Sequence, residues 1–323
     1  MSEKFSWYPG HMKKALEAIS EEIKSATAFI FVLDSRCPFS SLNPSLEKIT
    51  GKKPVLYVLN KSDLASAGIT QEWIHRFEQE GRQVITLSCK SRSGRKSLLA
   101  ALRHFREISR KTGKNKILGN TMRVIIMGVP NSGKSSIINI LSPTASVKTG
   151  KKPGLTRGKQ WLKIGDDNEI LDSPGIMPPR MDHIDTGWVL GATGAIKQEI
   201  LPIEYVASKF LAYLAKRDLF PEAVFPANYN RKELQDLIEE AERTAEKPKP
   251  PRSGKQIIDE IPDIHAISGS AHLQQAITAI IEDFATKRGF FIKGSEPDGE
   301  KASLQILKMF REGKLGKISL ETP

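Results

Sequence analysis

The tetrad Asn60-Lys61-Ser62-Asp63 precedes the octad Gly128-Val129-Pro130-Asn131-Ser132-Gly133-Lys134-Ser135, and each follows a largely apolar run of strand length, Val55–Leu59 and Arg123–Met127. Both strings therefore sit where a buried parallel strand opens into a loop. Such placement restricts the chain to an α/β sheet that binds its ligand at the carboxyl ends of its strands. The octad fits GxxxxGKS/T, a glycine loop whose backbone N–H groups wrap phosphates. In it Lys134 reaches the β and γ oxygens, Ser135 faces Mg²⁺, and Asn131, Ser132, Gly133 and Ser136 complete the cradle. That loop specifies a nucleotide without naming its base. The tetrad fits NKxD, in which the Asp63 carboxylate accepts two hydrogen bonds, from the ring N–H and the exocyclic amine of guanine. Adenine offers no such pair. Asn60 is expected at the other edge of the ring, with Lys61 beside it.

Two further strand ends carry matching loops. Ser88-Cys89-Lys90 follows Val84–Leu87 and resembles the SAK loop that offers backbone N–H to guanine O6, so Cys89 is expected to contribute main chain only. Asp172-Ser173-Pro174-Gly175 follows a run ending at Leu171 and fits DxxG, an aspartate that holds Mg²⁺ through water and a glycine N–H that senses the γ-phosphate. Pro153-Gly154-Leu155-Thr156 supplies a threonine suited to the first switch loop and to Mg²⁺. A four-residue motif recurs by chance, and a phosphate loop also occurs in ATPases and kinases. The strand-to-loop setting shared by the set is what gives them weight. Ordinary GTPases place the phosphate loop upstream of NKxD. The reversed order is that of a circularly permuted GTPase domain, in which Arg103–Asn120, rich in Arg and Lys with Gly113 and Gly119, is the exposed link across the former chain ends. The expected fold is α/β: a mixed, mostly parallel six-stranded sheet over residues 1–185, with Trp161–Ile164 antiparallel, then a smaller, mostly α-helical domain over residues 186–323.

Helical periodicity in the second part runs through Tyr205, Phe210, Leu211 and Leu214, then Leu273, Ala276, Ile277, Ile280, Ile281 and Phe284. Between them, residues 239–255 carry Glu and Lys around Pro248, Pro250, Pro251 and Gly254 and read as a solvated insertion. Gly313–Ile318 reads as a basic turn followed by an edge strand. The 323 residues suffice for two domains, and a net charge of +12, from 49 basic and 37 acidic residues, points to a polyanionic partner besides the nucleotide. Ribosomal RNA is the commonest such polyanion. Two cysteines, Cys37 and Cys89, are too few for a disulfide scaffold and suit a reducing compartment. No apolar run approaches the roughly 20 residues of a membrane span. A cytoplasmic monomer without a membrane partner is expected.

Beyond the motifs, the sequence resembles the RbgA/YlqF family of circularly permuted ribosome-assembly GTPases. The similar stretches are Trp7-Tyr8-Pro9-Gly10-His11-Met12-Lys13-Lys14-Ala15, Asp34-Ser35-Arg36-Cys37-Pro38, Pro153-Gly154-Leu155-Thr156-Arg157, Gly191-Ala192-Thr193-Gly194-Ala195-Ile196-Lys197 and Gly316-Lys317-Ile318-Ser319. They cover nearly the whole chain. Residues 239–263 depart from the pattern, being longer and richer in Pro and Lys. The resemblance implies hydrolysis of GTP to GDP and phosphate during maturation of the large ribosomal subunit, with the precursor bound in the GTP state and released after hydrolysis. It also implies a catalytic role for His11, and K⁺ beside the phosphates near Asn131, where the ion does what an arginine finger does elsewhere.

Several positions stay open. Ile176 stands where Ras-type enzymes carry the glutamine that orients attacking water, and it neither donates nor accepts. Hydrolysis is then slow unless another group replaces that function. His11 is the first candidate and His183 a second, although His11 also opens a helix with apolar Ala15, Ile19 and Ile23, where it would cap or pack. Arg36 is expected to partner Asp34 rather than to act as a finger. Trp7 and Tyr8, near Lys4, Lys13 and Lys14, either stack on unpaired bases or anchor on the GTPase domain. A second functional reading therefore stands beside the enzyme: a GTP-dependent rRNA-binding factor with negligible turnover.

Overall fold

The computed structural model describes residues 19–89, 94–112, 121–142, 161–164, 168–173, 175–177, 185–225, 230–244 and 271–323. The chain divides into two compact units, one comprising residues 8–181 with 317–323 and the other residues 182–316 with 1–7.

In the first unit β1 (Ala28–Asp34), β2 (Val55–Asn60), β3 (Gln83–Leu87), β4 (Met122–Met127), β5 (Trp161–Ile164) and β6 (Asn168–Asp172) form one sheet of order β3-β2-β1-β4-β6-β5. Every neighbouring pair is parallel except β5 and β6. β1 reads Ala-Phe-Ile-Phe-Val-Leu-Asp and is buried along its whole length, as a central strand covered on both faces must be. Ile30, Val32, Leu56 and Val58 meet Leu98, Leu102 and Phe105 of α5 (Gly94–Thr112) and Ile137 of α6 (Lys134–Leu141). Phe29, Phe31, Leu33 and Leu59 belong to the opposite face, with Ile19 of α1 (residues 19–25), Leu46 of α3 (Pro44–Thr50), and Trp73 and Phe77 of α4 (Ala67–Gln79). The register pairs Asp34 with Asn60, Asn60 with Leu87, Phe31 with Met127 and Ile126 with Asp172. The carboxyl ends of β1, β2, β3, β4 and β6 thus lie along one edge, and the motif loops all leave from it. The chain order reverses beside β1, which creates the crevice where sheets of this kind bind ligands.

Residues 103–112, expected as part of an exposed link, instead continue α5, because Leu98, Leu102 and Phe105 keep one stripe of the helix in the core. The remainder of that link, residues 113–120, lies outside the described residues.

Lys317–Pro323 belongs to this first unit, although the boundaries read from the sequence placed it in the helical one. It forms no edge strand; it is a strap across two loops. The N–H of Ile318 donates to the Leu64 carbonyl (3.1 Å) and that of Leu320 to the Arg36 carbonyl (2.7 Å). Ser319 Oγ accepts from the Ser66 N–H (3.1 Å), and Trp73 Nε1–H donates to the Glu321 carbonyl (3.3 Å). Ile318, Ser319 and Leu320 are all buried. The Glu321 carboxylate turns onto the single-turn α2 (Pro38–Ser41), accepting from the N–H groups of Phe39 (2.8 Å) and Ser40 (3.1 Å) and from the Ser40 hydroxyl.

Burial pushes the Glu321 carboxyl up to about 7, against the hydrogen bonds from Ser40 and Phe39, and the Asp34 charge adds to the rise. The Asp34 that faces it is itself paired with Arg36 and Lys61. A carboxyl raised in the folded chain above its usual 4.5 binds its proton more tightly folded than unfolded. Its stabilising share is therefore complete below about 4.5 and is lost as pH rises through about 7. Melting temperature should fall between about pH 5 and pH 8, and Glu321→Gln should flatten that part of the profile. Parallel profiles for the two proteins would refute the assignment.

The second unit contains α7 (Asp185–Thr193), α8 (Ile203–Lys216), α9 (Arg231–Thr244), α10 (Ala271–Lys287) and α11 (Gly299–Arg311). Phe210, Leu211 and Leu214 bury α8, and the Phe210 ring lies 4.7 Å from that of Phe310 on α11. Leu273, Ile277, Ile280, Ile281 and Phe284 form the buried stripe of α10. A Cβ on Gly191 would lie 2.9 Å from Val206, so glycine lets α7 and α8 approach. The carbonyls of Gly191 and Ala192 near the end of α7 accept from Arg311 Nη2 (2.7 Å) and Nε (2.8 Å), which satisfies groups that a helix end leaves open. Residues 239–244, read as the start of an insertion, continue α9, where Ala241 is buried. Residues 245–270 lie outside the described residues. Among the described residues no helix is long and apolar enough to cross a membrane.

Candidate functional site

The phosphate loop starts hard against β1. Gly128 has φ +152 and a Cβ there would run into the Val32 carbonyl, while Gly133 has φ +102 and a Cβ there would run into the Asn60 amide. Only glycine meets both the conformation and the space. Asn131, at the exposed crown of the loop, takes φ 58. Lys134 opens α6 and is buried, with Nζ donating to the carbonyls of Gly128 (3.1 Å) and Val129 (3.0 Å). Burial lowers its pKa to about 8; the Asp172 charge acts the other way and Lys61 adds to the lowering. The start of α6, with Lys134 at its first position and the glycine loop leading into it, is the kind of helix N-terminus that takes an anion.

Ser135 Oγ donates to Asp172 Oδ2 (3.0 Å), which joins the first turn of α6 to the end of β6. Asp172 Oδ1 is buried and, among the described residues, has no hydrogen-bond partner. Burial raises the Asp172 pKa, opposed by Lys134 and by the Ser135 hydroxyl. A hydroxyl beside a carboxylate with an unspent oxygen is a donor set of the kind Mg²⁺ takes, directly or through water. Gly175 closes the far side: a Cβ there would lie 2.8 Å from Pro130, and the next N–H, that of Ile176, donates to the Gly128 carbonyl (3.1 Å). Ile176 is fully buried in the core, and its carbonyl accepts from Asn43 Nδ2 (3.4 Å). Its side chain is a packing group in the cluster that holds Phe31, Met127 and Leu171.

After β2, Asn60 makes contacts that the sequence reading did not foresee. Its amide is buried and spans two loops, with Nδ2 donating to the Ser132 carbonyl (2.7 Å) and Oδ1 accepting from Cys89 Sγ (3.3 Å). Cys89 therefore contributes its thiol to this bridge, and Asn60 fastens the loop after β2 to the phosphate loop. Asp63 follows on a single 3₁₀ turn, Ser62–Leu64, half-buried, after Lys61 in the left-handed conformation (φ 60). Lys61 Nζ reaches Asp34 Oδ2 (2.9 Å), a partnership the sequence reading missed because the two lie 27 residues apart, Asp34 ending β1 and Lys61 following β2. Asp34 also accepts from Arg36 Nε (2.9 Å) and Nη2 (2.8 Å), the pairing foreseen for that arginine. Burial alone would raise Asp34, but Arg36 and Lys61 overcome it and hold the carboxyl well below the usual carboxylate range. Ser88 and Cys89 leave β3 beside this loop, half-buried. His11, Lys90, Thr156 and His183 lie outside the described residues.

A mostly parallel sheet that brings a phosphate loop, a DxxG segment and an upstream NKxD loop to one edge defines a circularly permuted P-loop GTPase. Residues 123–250 match the family described as 50S ribosome-binding GTPase. Ribosome biogenesis GTPase A of Bacillus cereus is 33% identical over 98% of this chain and 93% of its own length, and that of Bacillus licheniformis 32% over 98% of each. The crystal structure of GNP-bound YlqF from Thermotoga maritima has the same fold, with a TM-score of 0.61 at 23% identity over 96% of this chain and 98% of that one. The chain belongs to the ribosome biogenesis GTPase A family, RbgA/YlqF.

Proposed function

We propose that this GTPase hydrolyses GTP to GDP and phosphate in the cytoplasm during assembly of the large ribosomal subunit, as a monomer whose nucleotide state governs its hold on the subunit precursor and its rRNA. The Asn60–Ser132 hydrogen bond carries the nucleotide part of this reading, because one ligand with guanine at one end and phosphates at the other satisfies both joined loops. The ribosomal part is supported by the relatives' names and by the net charge of +12, which rRNA phosphates would use. The helical unit is the expected rRNA contact.

Asp63 accepts from the guanine ring N–H and amine, while Ser88, Cys89 and Lys90 offer main-chain donors to O6. Asn131, Ser132, Gly133, Lys134, Ser135 and Ser136 enclose the phosphates, and the Gly175 N–H reads the γ-phosphate. Ser135 and Thr156 would hold Mg²⁺ directly and Asp172 through water; when bound, the ion neutralises charge on the β- and γ-oxygens. Asn131 would sit beside K⁺. The testing experiment is GTP turnover titrated with purified ribosomal subunits in K⁺ and in Na⁺ buffers. Large subunits should stimulate it, small subunits should not, and K⁺ should exceed Na⁺; a flat titration would end the ribosomal reading.

Ile176, buried and able neither to donate nor to accept, favours one alternative, a GTP-dependent rRNA-binding factor with negligible turnover. Steady-state turnover with and without subunits separates the two. Asp63→Asn tests the base assignment. Replacing an acceptor oxygen by an amide donor sets the wrong group against the guanine amine. Loss of such a charged hydrogen bond is about 1.5–3 kcal/mol, a tenfold or larger weakening for GTP, with preference moving toward xanthine nucleotides. Unchanged GTP affinity would refute the role.

A further inference from the structure

The loop after β2 is braced on both sides of Asp63. Toward the sheet, the Ser35 N–H donates to the Asn60 carbonyl (2.8 Å) and Lys61 Nζ reaches Asp34 (2.9 Å). Beyond Asp63, the Leu64 carbonyl accepts from Ile318 (3.1 Å) and the Ser66 N–H donates to Ser319 Oγ (3.1 Å). Leu320 then donates to the Arg36 carbonyl (2.7 Å), so the same strap ties the base loop to the loop after β1 that holds Asp34. Asp63 sits on one short turn between these anchors, and a turn of three residues has its side-chain directions set by its ends. A carboxylate that must meet two coplanar N–H donors loses both when it rotates, because hydrogen bonds weaken steeply as they bend.

We propose that the strap Ile318–Glu321 is a specificity-determining element of the nucleotide site, in which Ser319 is a positioning residue that holds the turn Ser62–Leu64 so that Asp63 meets both guanine donors. This rests on the reading of Asp63 as the guanine acceptor. A brace that served folding alone would weaken every nucleotide alike. A positioning brace is read by the exocyclic amine.

The test compares dissociation constants for GTP and for inosine triphosphate, which lacks that amine, in the wild-type chain, Ser319→Ala, a chain without residues 317–323, and Asp63→Asn. The wild type should favour GTP about tenfold or more, Ser319→Ala should reduce the ratio about threefold, and the deletion should bring it toward one. Where the deletion fails to fold, Ser319→Ala, which loses a single hydroxyl, decides alone. A wild-type ratio in the strap variants, or equal weakening of both nucleotides, overturns the strap proposal if Asp63→Asn abolishes the ratio. If Asp63→Asn also keeps it, or the wild type shows none, the underlying base assignment fails instead.

Discussion

Lys134→Ala is expected to remove hydrolysis while leaving the fold intact, with turnover at saturating GTP down by about 10²–10³, the usual loss when one preorganised charged donor is withdrawn from developing charge. Nucleotide affinity should weaken tenfold or more, because a charged hydrogen bond is worth about 1.5–3 kcal/mol. Stability should move the other way. The Lys134 ammonium is buried against the carbonyls of Gly128 and Val129 and its pKa is pushed down to about 8 by that burial, so the folded chain carries it at a cost. Alanine is a good helix former at the first position of α6 and removes the buried charge. The diagnostic result is a melting temperature held or raised alongside lost turnover. A fully active variant would overturn the phosphate-loop assignment.

The second large effect concerns His11→Ala. Ile176 lies at 0% exposure in the core, so its position supplies nothing to the attacking water and some other group must do so if turnover is substantial. The family resemblance gives that task to His11. The substitution should cut subunit-stimulated turnover by roughly 10²–10⁴, the usual contribution of a positioned acid–base group. GTP affinity should barely change, since the proposed nucleotide contacts of Asp63, Lys134 and Ser135 stay in place, and the protein should stall on its subunit. A packing or capping role predicts the opposite pattern: a lower melting temperature, with normal turnover per folded molecule. Melting temperature, GTP affinity and stimulated turnover from one preparation separate the two.

The sheet and its motif loops were legible because each motif announces itself at the end of an apolar run, and the run's length and burial follow from the same residues. The permuted order was readable for the same reason. What escaped was partnership across distance. Nothing in Asn60 discloses that its amide bridges Ser132 and Cys89, since a side chain's choice between a ligand and a neighbouring carbonyl depends on loops that converge only in the fold. Lys61 and Asp34 meet for the same reason. Helix limits were misjudged where charge density masked an apolar stripe, as in residues 103–112 of α5 and 239–244 of α9. The strap escaped because Ile318-Ser319-Leu320 is too short to show any period. Thr156, Lys90 and His11 lie outside the described residues.

The strap also sets a schedule for how the molecule comes into being. The Ser66 N–H donates to Ser319 Oγ, 253 positions further along the chain. Synthesis runs from the amino end at roughly 5–20 residues per second, and contacts of long sequence separation form late. The sheet, the phosphate loop and the whole helical unit are therefore translated before the base loop receives its second support. A nascent chain that already carries every nucleotide-binding motif still lacks that brace. If the strap positions Asp63 as proposed, the capacity to tell guanine from its analogues matures only after residue 319 has been made, and a product truncated before it would hold phosphates without full discrimination of the base.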